Sequence, residues 1–304
     1  MRIDHLWLTD FRSYQDAEFA PAPDGITVIS GGNGEGKTNL VEAIAYLATL
    51  KSFRASPNEA MVRSGGSRSV VRAEGHRDSR RLLIEAELQM AGRDRVQVNG
   101  QPLRRTRDLL GYLQVTVFSP DDLALVKSGP QLRRDFLDDL LVALHPRHDE
   151  TITEVERVLK QRNALLKSAG LERVPGEVAS TLDVWDRKLA EAGEKLAAAR
   201  EGLITALEPV ARASYGQLAT RVAHRGRAAV GLSYERSWRG GLLESLAGAR
   251  NDDLRRGITT VGPHRDEVVM RIGGLPARSH ASQGEQRSFT LALRLAGHAI
   301  VTER

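Results

Sequence analysis

The chain has 304 residues, of which 27% are charged and 41% are hydrophobic, a composition typical of a soluble globular protein long enough for two domains. Cysteine is absent, which excludes disulfides and cysteine-ligated zinc, and no uninterrupted apolar run is long enough to span a membrane. Lysine and arginine exceed aspartate and glutamate by 44 to 39, a balance that permits an anionic partner such as nucleic acid. We expect a cytoplasmic protein.

The first elements along the chain are short strands. Residues Ile3 to Leu8 are rich in apolar side chains and predict a strand, and a second strand is predicted around Ala17 to Phe19. Arg12 lies between them, where it is either a solvated turn residue or a residue that touches a nucleotide. Prolines and a glycine then turn the chain into a branched apolar run, Ile26 to Ile29, which predicts a further strand.

A glycine-rich loop follows this run and fits the phosphate-binding pattern G-x-x-x-x-G-K-[ST]. It is made of Gly31, Gly32, Asn33, Gly34, Glu35, Gly36, Lys37 and Thr38. Residues Asn39 to Leu50 then predict a helix with an apolar face. Glycines let the backbone curl around a polyphosphate so that N–H groups and the helix N-terminus face the anion. Lys37 would reach the β- and γ-phosphates, and the Thr38 hydroxyl would bind Mg²⁺.

The same pattern also fits a glycine-rich turn with a surface lysine, but the flanking strand and helix favour a nucleoside triphosphate site. The motif alone does not specify what the energy of the nucleotide is used for.

An antiparallel β lobe is predicted before residue 110. Two strand-like segments, Val70 to Gly75 and Leu82 to Met90, follow an irregular stretch, and the second alternates apolar and polar residues. Asn99-Gly100 is a strong signal for a tight hairpin turn.

The next elements are a strand and two helix signals. Leu113 to Phe118 predicts a buried strand, Ser119 to Asp122 predicts a turn or helix start, and Gln131 to Leu144 predicts a helix.

The middle of the chain predicts a helical hairpin. Apolar residues from Leu182 to Val210 recur at alternating steps of three and four, which is a sustained heptad seam. Residues Ile152 to Leu166 keep the same rhythm, interrupted by Arg162, and Gly170 to Gly176 supplies a turn. We interpret these segments as an arm of two antiparallel helices and assign no ligand to it.

Strand patterning returns after the arm. Pro209 is expected to kink or end the second helix near Leu207, because proline cannot donate the helical hydrogen bond. The pattern then predicts two strands, Val230 to Tyr234 and Ile258 to Val261.

A second small turn opens a helix near the end of the sequence. Ser282, Gln283 and Gly284 precede an apolar helix, Phe289 to Ile300. Ser282 and the first backbone N–H groups could hold an anion there, or Ser282 could be an ordinary N-cap. Its occurrence together with a complete phosphate-binding loop favours the anion site.

Two such helix ends, separated by a helical hairpin, resemble the head domains of ATP-binding-cassette (ABC) ATPases of the SMC and Rad50 type. More closely, the chain resembles the RecF family of bacterial recombination mediators. The stretches that carry the resemblance span nearly the whole chain in the family's order: Leu8 to Tyr14, the phosphate loop through Ala43, Lys160 to Asn163, Gly262 to Asp266, and Ser282 to Arg287.

The resemblance implies an α/β fold, a P-loop ABC-ATPase-like head with an antiparallel β lobe and an inserted helical arm. It implies a discontinuous nucleotide-binding head of residues 1–145 and 225–304 and an arm of residues 146–224. The expected function is ATP-dependent binding of gapped, single-stranded or double-stranded DNA, with loading of recombinase during repair and replication. Other recombination mediator proteins are expected as partners.

In this family two heads form an ATP-dependent homodimer, and each ATP lies between the phosphate loop of one head and the signature turn of the other. The resemblance therefore implies that Lys37, Thr38 and Asn39 act in cis and that Ser282, Gln283 and Gly284 act in trans. Arg12 matches a family position near the nucleotide.

One departure concerns the end of the sequence. In the family, the signature helix is followed by a Walker B strand with acidic residues that hold Mg²⁺ and position the attacking water, whereas this sequence stops at Thr302-Glu303-Arg304. We expect an incomplete chain that binds ATP weakly and hydrolyses it poorly or not at all, and we assign no catalytic residue.

Other interpretations are an ABC transporter subunit, a small-molecule P-loop kinase and a non-hydrolysing fragment. The soluble helical arm argues against the first, and the Ser282 turn is not needed by the second. His145 with His148, and His264 with Asp266, lack the partners of a metal or acid–base site. Two arginine groups could contact DNA phosphates but are more often solvated: Arg77, Arg80 and Arg81, and Arg104, Arg105 and Arg107.

Overall fold

The computed structural model describes residues 1–54, 56–77, 79–171, 175–219 and 229–303. The chain divides into two compact units, Met1–Val117 and Phe118–Arg304. The predicted arm belongs to the same unit as the C-terminal residues, so this division differs from the expected one between head and arm. The division into a head of residues 1–145 and 225–304 and an arm of residues 146–224 remains a proposal, and its boundary at 224 lies outside the described residues.

The first unit is built on an antiparallel sheet. Its strands are β1 (Arg2–Phe11), β2 (Tyr14–Phe19), β3 (Arg68–Arg77), β4 (Arg80–Gln89), β5 (Arg95–Val98) and β6 (Gln101–Pro102). Within the described residues they pair in the order β2-β1-β3-β4-β5-β6. Asn99 and Gly100 have φ angles of 50° and 76°, as the two-residue hairpin turn requires. The predicted β lobe is confirmed.

One helix packs on this sheet. Helix α1 (Lys37–Thr49) buries Leu40, Tyr46 and Leu47 in a core that includes Leu6 and Phe11 of β1. Each large apolar side chain removed from water contributes roughly 1.5–3 kcal/mol. Short 3₁₀ turns lie at Asn58–Met61 and Thr106–Leu109. The predicted helix after the phosphate loop is confirmed.

Two predicted strands of this region were wrong. In the described residues neither Ile26 to Ile29 nor Leu113 to Phe118 lies in a strand. Ile26 is 88% exposed and Val28 is 81% exposed, and Phe118 is also exposed. A strand forms when a neighbour satisfies its N–H and C=O groups, and an apolar run by itself supplies no such neighbour.

The second unit is mainly helical. Its helices are α2 (Ala124–Lys127), α3 (Pro130–Leu144), α4 (His148–Leu171), α5 (Pro175–Ala219), α6 (Leu242–Arg256), α7 (Ala277–His280) and α8 (Gln283–Thr302), and a 3₁₀ turn spans Pro120–Leu123. In the described residues a small antiparallel sheet joins β7 (Val230–Glu235), β8 (Glu267–Ile272) and β9 (Leu275–Pro276) in that order.

The long helices α4 and α5 pack on each other, as the heptad pattern predicts. Leu182, Leu189 and Leu196 of the seam are buried. Beyond Leu203 the buried position is Leu207 rather than Ala206, because a straight helix drifts from a strict heptad repeat. The predicted turn at Gly170 to Gly176 falls partly on residues 172–174, outside the described residues.

Two further predictions in this unit, a helix end near Leu207 and a strand over Ile258 to Val261, were wrong, whereas a kink of the helix at Pro209 stays a prediction. Helix α5 continues through Pro209 to Ala219, because buried residues on both sides of the proline, Leu207 and Ala211, hold the helix against its neighbours. Residues Ile258 to Val261 form a loop instead of a strand. The N–H groups of Thr259 and Thr260 donate to side chains of α4 and α6, so they need no strand partner.

No helix in the described ranges is long and apolar enough to cross a membrane.

Candidate nucleotide-binding site

The phosphate loop enters helix α1 through glycines in conformations that other residues avoid. Gly34 and Gly36 have φ angles of 88° and 92°. A Cβ atom on Gly36 would lie 2.9 Å from Ser13 Oγ and from the Tyr14 ring, so the loop needs glycine for space as well as for its backbone angle. The Gly36 carbonyl accepts from Asn39 N at 2.7 Å, which starts the helix and leaves earlier N–H groups available to an anion.

A carboxylate of the loop itself accepts a hydrogen bond from one of these N–H groups. Gly32 N donates to Glu35 Oε2 at 2.7 Å. A Cβ on Gly31 would lie 2.3 Å from the same oxygen, so a side chain at this position would displace the Glu35 carboxylate from the backbone. The Gly32 N–H thus bonds to an anionic oxygen, and the residues present fit a polyphosphate.

Lys37 lies at the same place. Its Nζ donates to the Gly31 carbonyl at 2.9 Å and the Gly32 carbonyl at 2.5 Å. An ammonium bound only to carbonyls can transfer to a phosphate that brings negative charge. Thr38 is the second residue of α1, and its side chain is exposed, so its hydroxyl is accessible to an ion.

Arg12 lies beside α1 in a strained conformation. Its φ of 54° is in the left-handed region, which costs a non-glycine residue roughly 1–2 kcal/mol. Its Nε and Nη2 donate to Glu42 at 2.9 and 2.6 Å, and its Nη1 donates to the Ala60 carbonyl at 2.7 Å. Glu42 is 0% exposed, so this is a buried ion pair that fixes the turn against the helix.

The same carboxylate gathers residues that the sequence interpretation did not include. Ser52 Oγ donates to Glu42 at 2.5 Å, and Arg54 Nη1 lies 3.5 Å from it. Arg54 also donates to Asn39 Oδ1 at 3.0 Å, and Asn39 Nδ2 donates to Ser13 at 2.9 Å. The only sequence signal for this cluster was a glutamate set among apolar residues of the helix, and its burial was not predictable from the helical spacing; once buried, the carboxylate requires a cationic partner.

The second predicted turn is an N-cap with a capping box. Ser282 Oγ accepts from Glu285 N at 3.3 Å, and Ser282 N donates to Glu285 Oε2 at 2.7 Å. Gln283 and Gly284 form the first turn of α8 with exposed side-chain positions. Gln286 anchors this turn from below, because its buried amide donates to the Ala277 carbonyl.

The structure brings Arg12 to helix α1, which contains Asn39, within the first unit, while the Ser282 turn belongs to the second unit. Other residues that the sequence singled out have local partners. Arg81 pairs with Glu74, and Arg105 pairs with Asp108. Among the described residues no acidic or histidine cluster could hold a metal ion.

The candidate acid–base residues His264 and Asp266 bond to different groups. Asp266 accepts from Tyr234 Oη at 2.5 Å, whereas His264 Nε2 lies 3.1 Å from the Thr259 carbonyl.

A glycine loop that holds an anion at the start of a helix, with a lysine and a hydroxyl residue adjoining, defines a P-loop nucleotide-binding protein. The model of the RecF/RecN/SMC N terminal domain family matches residues 2–303. This match gives the class of the fold as a RecF/SMC-type ABC ATPase head.

Two similar proteins indicate the family within this class. The "DNA replication and repair protein RecF" of Streptomyces avermitilis is 45% identical over 314 residues, covering 99% of this chain and 83% of that protein. The RecF protein of Frankia alni is 43% identical, covering 99% of this chain and 82% of that protein. The chain belongs to the RecF family.

Solved structures agree on the fold. A structure described as the recombination mediator protein RecF-ATP in the RecFOR pathway superposes with a TM-score of 0.91 at 27% identity, over 99% of this chain and 81% of that one. An Smc head domain derived from Pyrococcus furiosus has a TM-score of 0.50 at 17% identity, over 98% of this chain and 79% of that one, and indicates the fold alone.

Proposed function

We propose that this chain is an ATP-dependent DNA-binding protein of recombinational repair and replication, which binds gapped, single-stranded or double-stranded DNA and helps to load recombinase. The observation that carries the proposal is the anion site on Gly32 N at the start of α1. The name of the RecF relatives and the RecF-ATP structure support it. A cytoplasmic location belongs to the same proposal.

In the proposed site the phosphates of ATP replace the Glu35 carboxylate on the loop N–H groups. Lys37 moves from the loop carbonyls to the β- and γ-phosphates, and Thr38 holds Mg²⁺. Bound Mg²⁺ neutralises phosphate charge. Arg12 acts beside the nucleotide from its position against Glu42. This proposal concerns ATP binding, and it assigns no catalytic residue.

The second half of the proposed site comes from another copy of the chain. Ser282, Gln283 and Gly284 are exposed at the N-terminus of α8, where the helix dipole and free N–H groups favour an anion. Two copies thus clamp two ATP molecules in a homodimer. Other recombination mediator proteins are the further partners of this proposal.

The first test measures ATP·Mg²⁺ binding by titration calorimetry. Lys37→Ala removes a charge-assisted bond to phosphate and should weaken binding by about 10- to 100-fold. Lys51→Ala is the matched control, because Lys51 is an exposed lysine that follows the other end of the same helix. Equal affinities for the two variants would contradict the assignment of this loop.

The second test measures molar mass by light scattering, with and without ATP·Mg²⁺, while a gapped DNA duplex is titrated. ATP should produce a dimer that binds the duplex, and Ser282→Ala should weaken that dimer. Ser279→Ala is the control, since Ser279 is a nearby exposed serine outside the turn. ATP binding without a change of mass or of DNA affinity would refute the clamp.

A further inference from the structure

The loop of residues 259–266, which joins α6 to β8, is held by polar side chains from distant parts of the second unit. Thr259 N and Oγ1 donate to Asn163 Oδ1 of α4 at 2.8 and 2.7 Å. Thr260 N and Oγ1 donate to Asp253 Oδ1 of α6 at 2.9 and 2.6 Å. The backbone at the start of the loop is therefore fixed on two helices.

The other end of the loop is held by buried arginines. Arg200 Nη1 of α5 donates to the Pro263 carbonyl at 2.8 Å, and Arg134 Nη1 of α3 donates to the Asp266 carbonyl at 2.6 Å. Ser237 bonds both the N–H and the carbonyl of Gly262 at 2.9 Å. Both arginines are buried, so these hydrogen bonds hold the loop from the protein interior.

Beneath the loop lies a third buried arginine. Arg162 Nη1 donates to Asp253 at 2.7 Å and to Thr259 Oγ1 at 2.9 Å. His264 adds no charge at neutral pH, because burial, together with the charges of Arg265, Arg134 and Arg162, lowers its pKa to about 4. The loop thus rests on buried cations and carries one more at its surface.

That surface cation is Arg265, whose side chain is exposed. Its Nε and Nη2 donate to the Thr259 carbonyl at 3.3 and 3.2 Å. A guanidinium has five N–H donors, and the carbonyl uses two. No carboxylate in the described part of the chain forms an ion pair with Arg265, whereas exposed Arg157 and Arg212 pair with Glu154 and Glu208. The outer edge of Arg265 is therefore oriented, charged and open.

We propose that Arg265 binds a backbone phosphate of DNA and that the 259–266 loop holds its guanidinium in place for that contact. This inference rests on the proposed DNA binding. A planar guanidinium with a free edge matches two phosphate oxygens, and such a contact positions the protein without reading base identity. The fixed loop lowers the entropy lost when Arg265 binds.

The test measures fluorescence anisotropy of two labelled duplexes of unrelated sequence over a series of salt concentrations, using the whole chain. Arg265→Ala should weaken binding to both duplexes by about tenfold. It should also reduce the slope of log affinity against log salt by about 0.9, the value for one released counterion. Arg265→Lys should restore the slope and part of the affinity, because it restores the charge without the planar edge.

Arg271→Ala is the matched control. Arg271 is an exposed arginine of β8 in the same unit, and its Nη1 also donates to a backbone carbonyl, that of Gly274 at 3.2 Å. The same charge is removed, so general electrostatic effects on DNA binding should be equal in the two variants. Thermal melting of both variants checks that the fold is intact.

The outcomes separate this inference from the proposed function. If the unmodified chain binds no duplex, the proposed function fails and this inference with it. If it binds and Arg265→Ala behaves like Arg271→Ala in affinity and slope, only the contact by Arg265 is refuted. A loss confined to one duplex sequence, or to self-association at unchanged DNA affinity, also overturns it and points to base reading or to an acidic protein partner.

Discussion

Substitution of Arg162 by methionine tests how much the second unit depends on a buried charge within its helical seam. Arg162 is 0% exposed. It donates to Asp186 and Asp253, each at 2.7 Å, so it joins α4 to α5 and α6. Methionine fills much of the same volume but leaves both carboxylates without this cation.

The magnitude follows from what remains around the two carboxylates. Asp186 keeps Arg250 at 2.6 Å, and Asp253 keeps the N–H and hydroxyl of Thr260. Removing one partner of a buried ion pair typically costs about 3–5 kcal/mol, because the remaining charge stays desolvated. For a unit of this size, about 2–4 °C of melting temperature is lost per kcal/mol. The melting temperature should therefore fall by roughly 6–20 °C.

The assay is thermal and urea unfolding followed by circular dichroism, which reports the helices of the second unit. Arg157→Met is the control, because Arg157 lies on the same helix and forms an exposed pair with Glu154. Solvent and salt screen an exposed pair of this kind, so its loss should be barely measurable. Equal stability of the two variants, or a loss below about 1 kcal/mol for Arg162→Met, would refute the reasoning.

Three further predictions use the same structural observations. Glu35→Gln should raise the affinity for ATP severalfold in titration calorimetry, because the carboxylate competes with phosphate for Gly32 N and repels it; unchanged or weaker binding would contradict this. The pKa of His264 is lowered to about 4, mainly by burial, while an unfolded histidine titrates near pH 6.5. The unfolded chain therefore takes up a proton first as pH falls from about 6.5 to 4, and stability that is complete above that range is lost within it. Between pH 7 and 5 the free energy of unfolding should fall by about 1–2 kcal/mol less in His264→Gln than in the unmodified chain, allowing for partial exposure. Urea unfolding at both pH values measures this, and an equal fall in the two chains would argue against it. Pro209→Ala should stabilise α5 by about 1–3 kcal/mol, since it restores a helical N–H donor at an exposed position, and a lower urea midpoint would contradict this.

The sequence by itself determined the features that depend on neighbouring residues. The phosphate loop leads into a helix because its glycines and the following apolar face act within about a dozen residues. The Asn99–Gly100 turn fixes the hairpin by its backbone angles, and Ser282 with Glu285 forms the predicted cap. The heptad seam specified the two packed helices.

The tertiary structure decided everything that depends on a partner far along the chain. Ile26 to Ile29 has the composition of a strand, yet composition does not supply the neighbour that a strand needs. Pro209 is carried inside α5 by packing on both sides of it. In the sequence Arg162 interrupts the heptad seam, but in the structure it joins α4 to α5 and α6. Its partner on α6, Asp253, is 91 residues away along the chain. Arg12 likewise has its partner, Glu42, 30 residues away. Local geometry is encoded by short-range sterics and hydrogen bonds, whereas strand neighbours and buried charge partners are settled only when distant segments pack together.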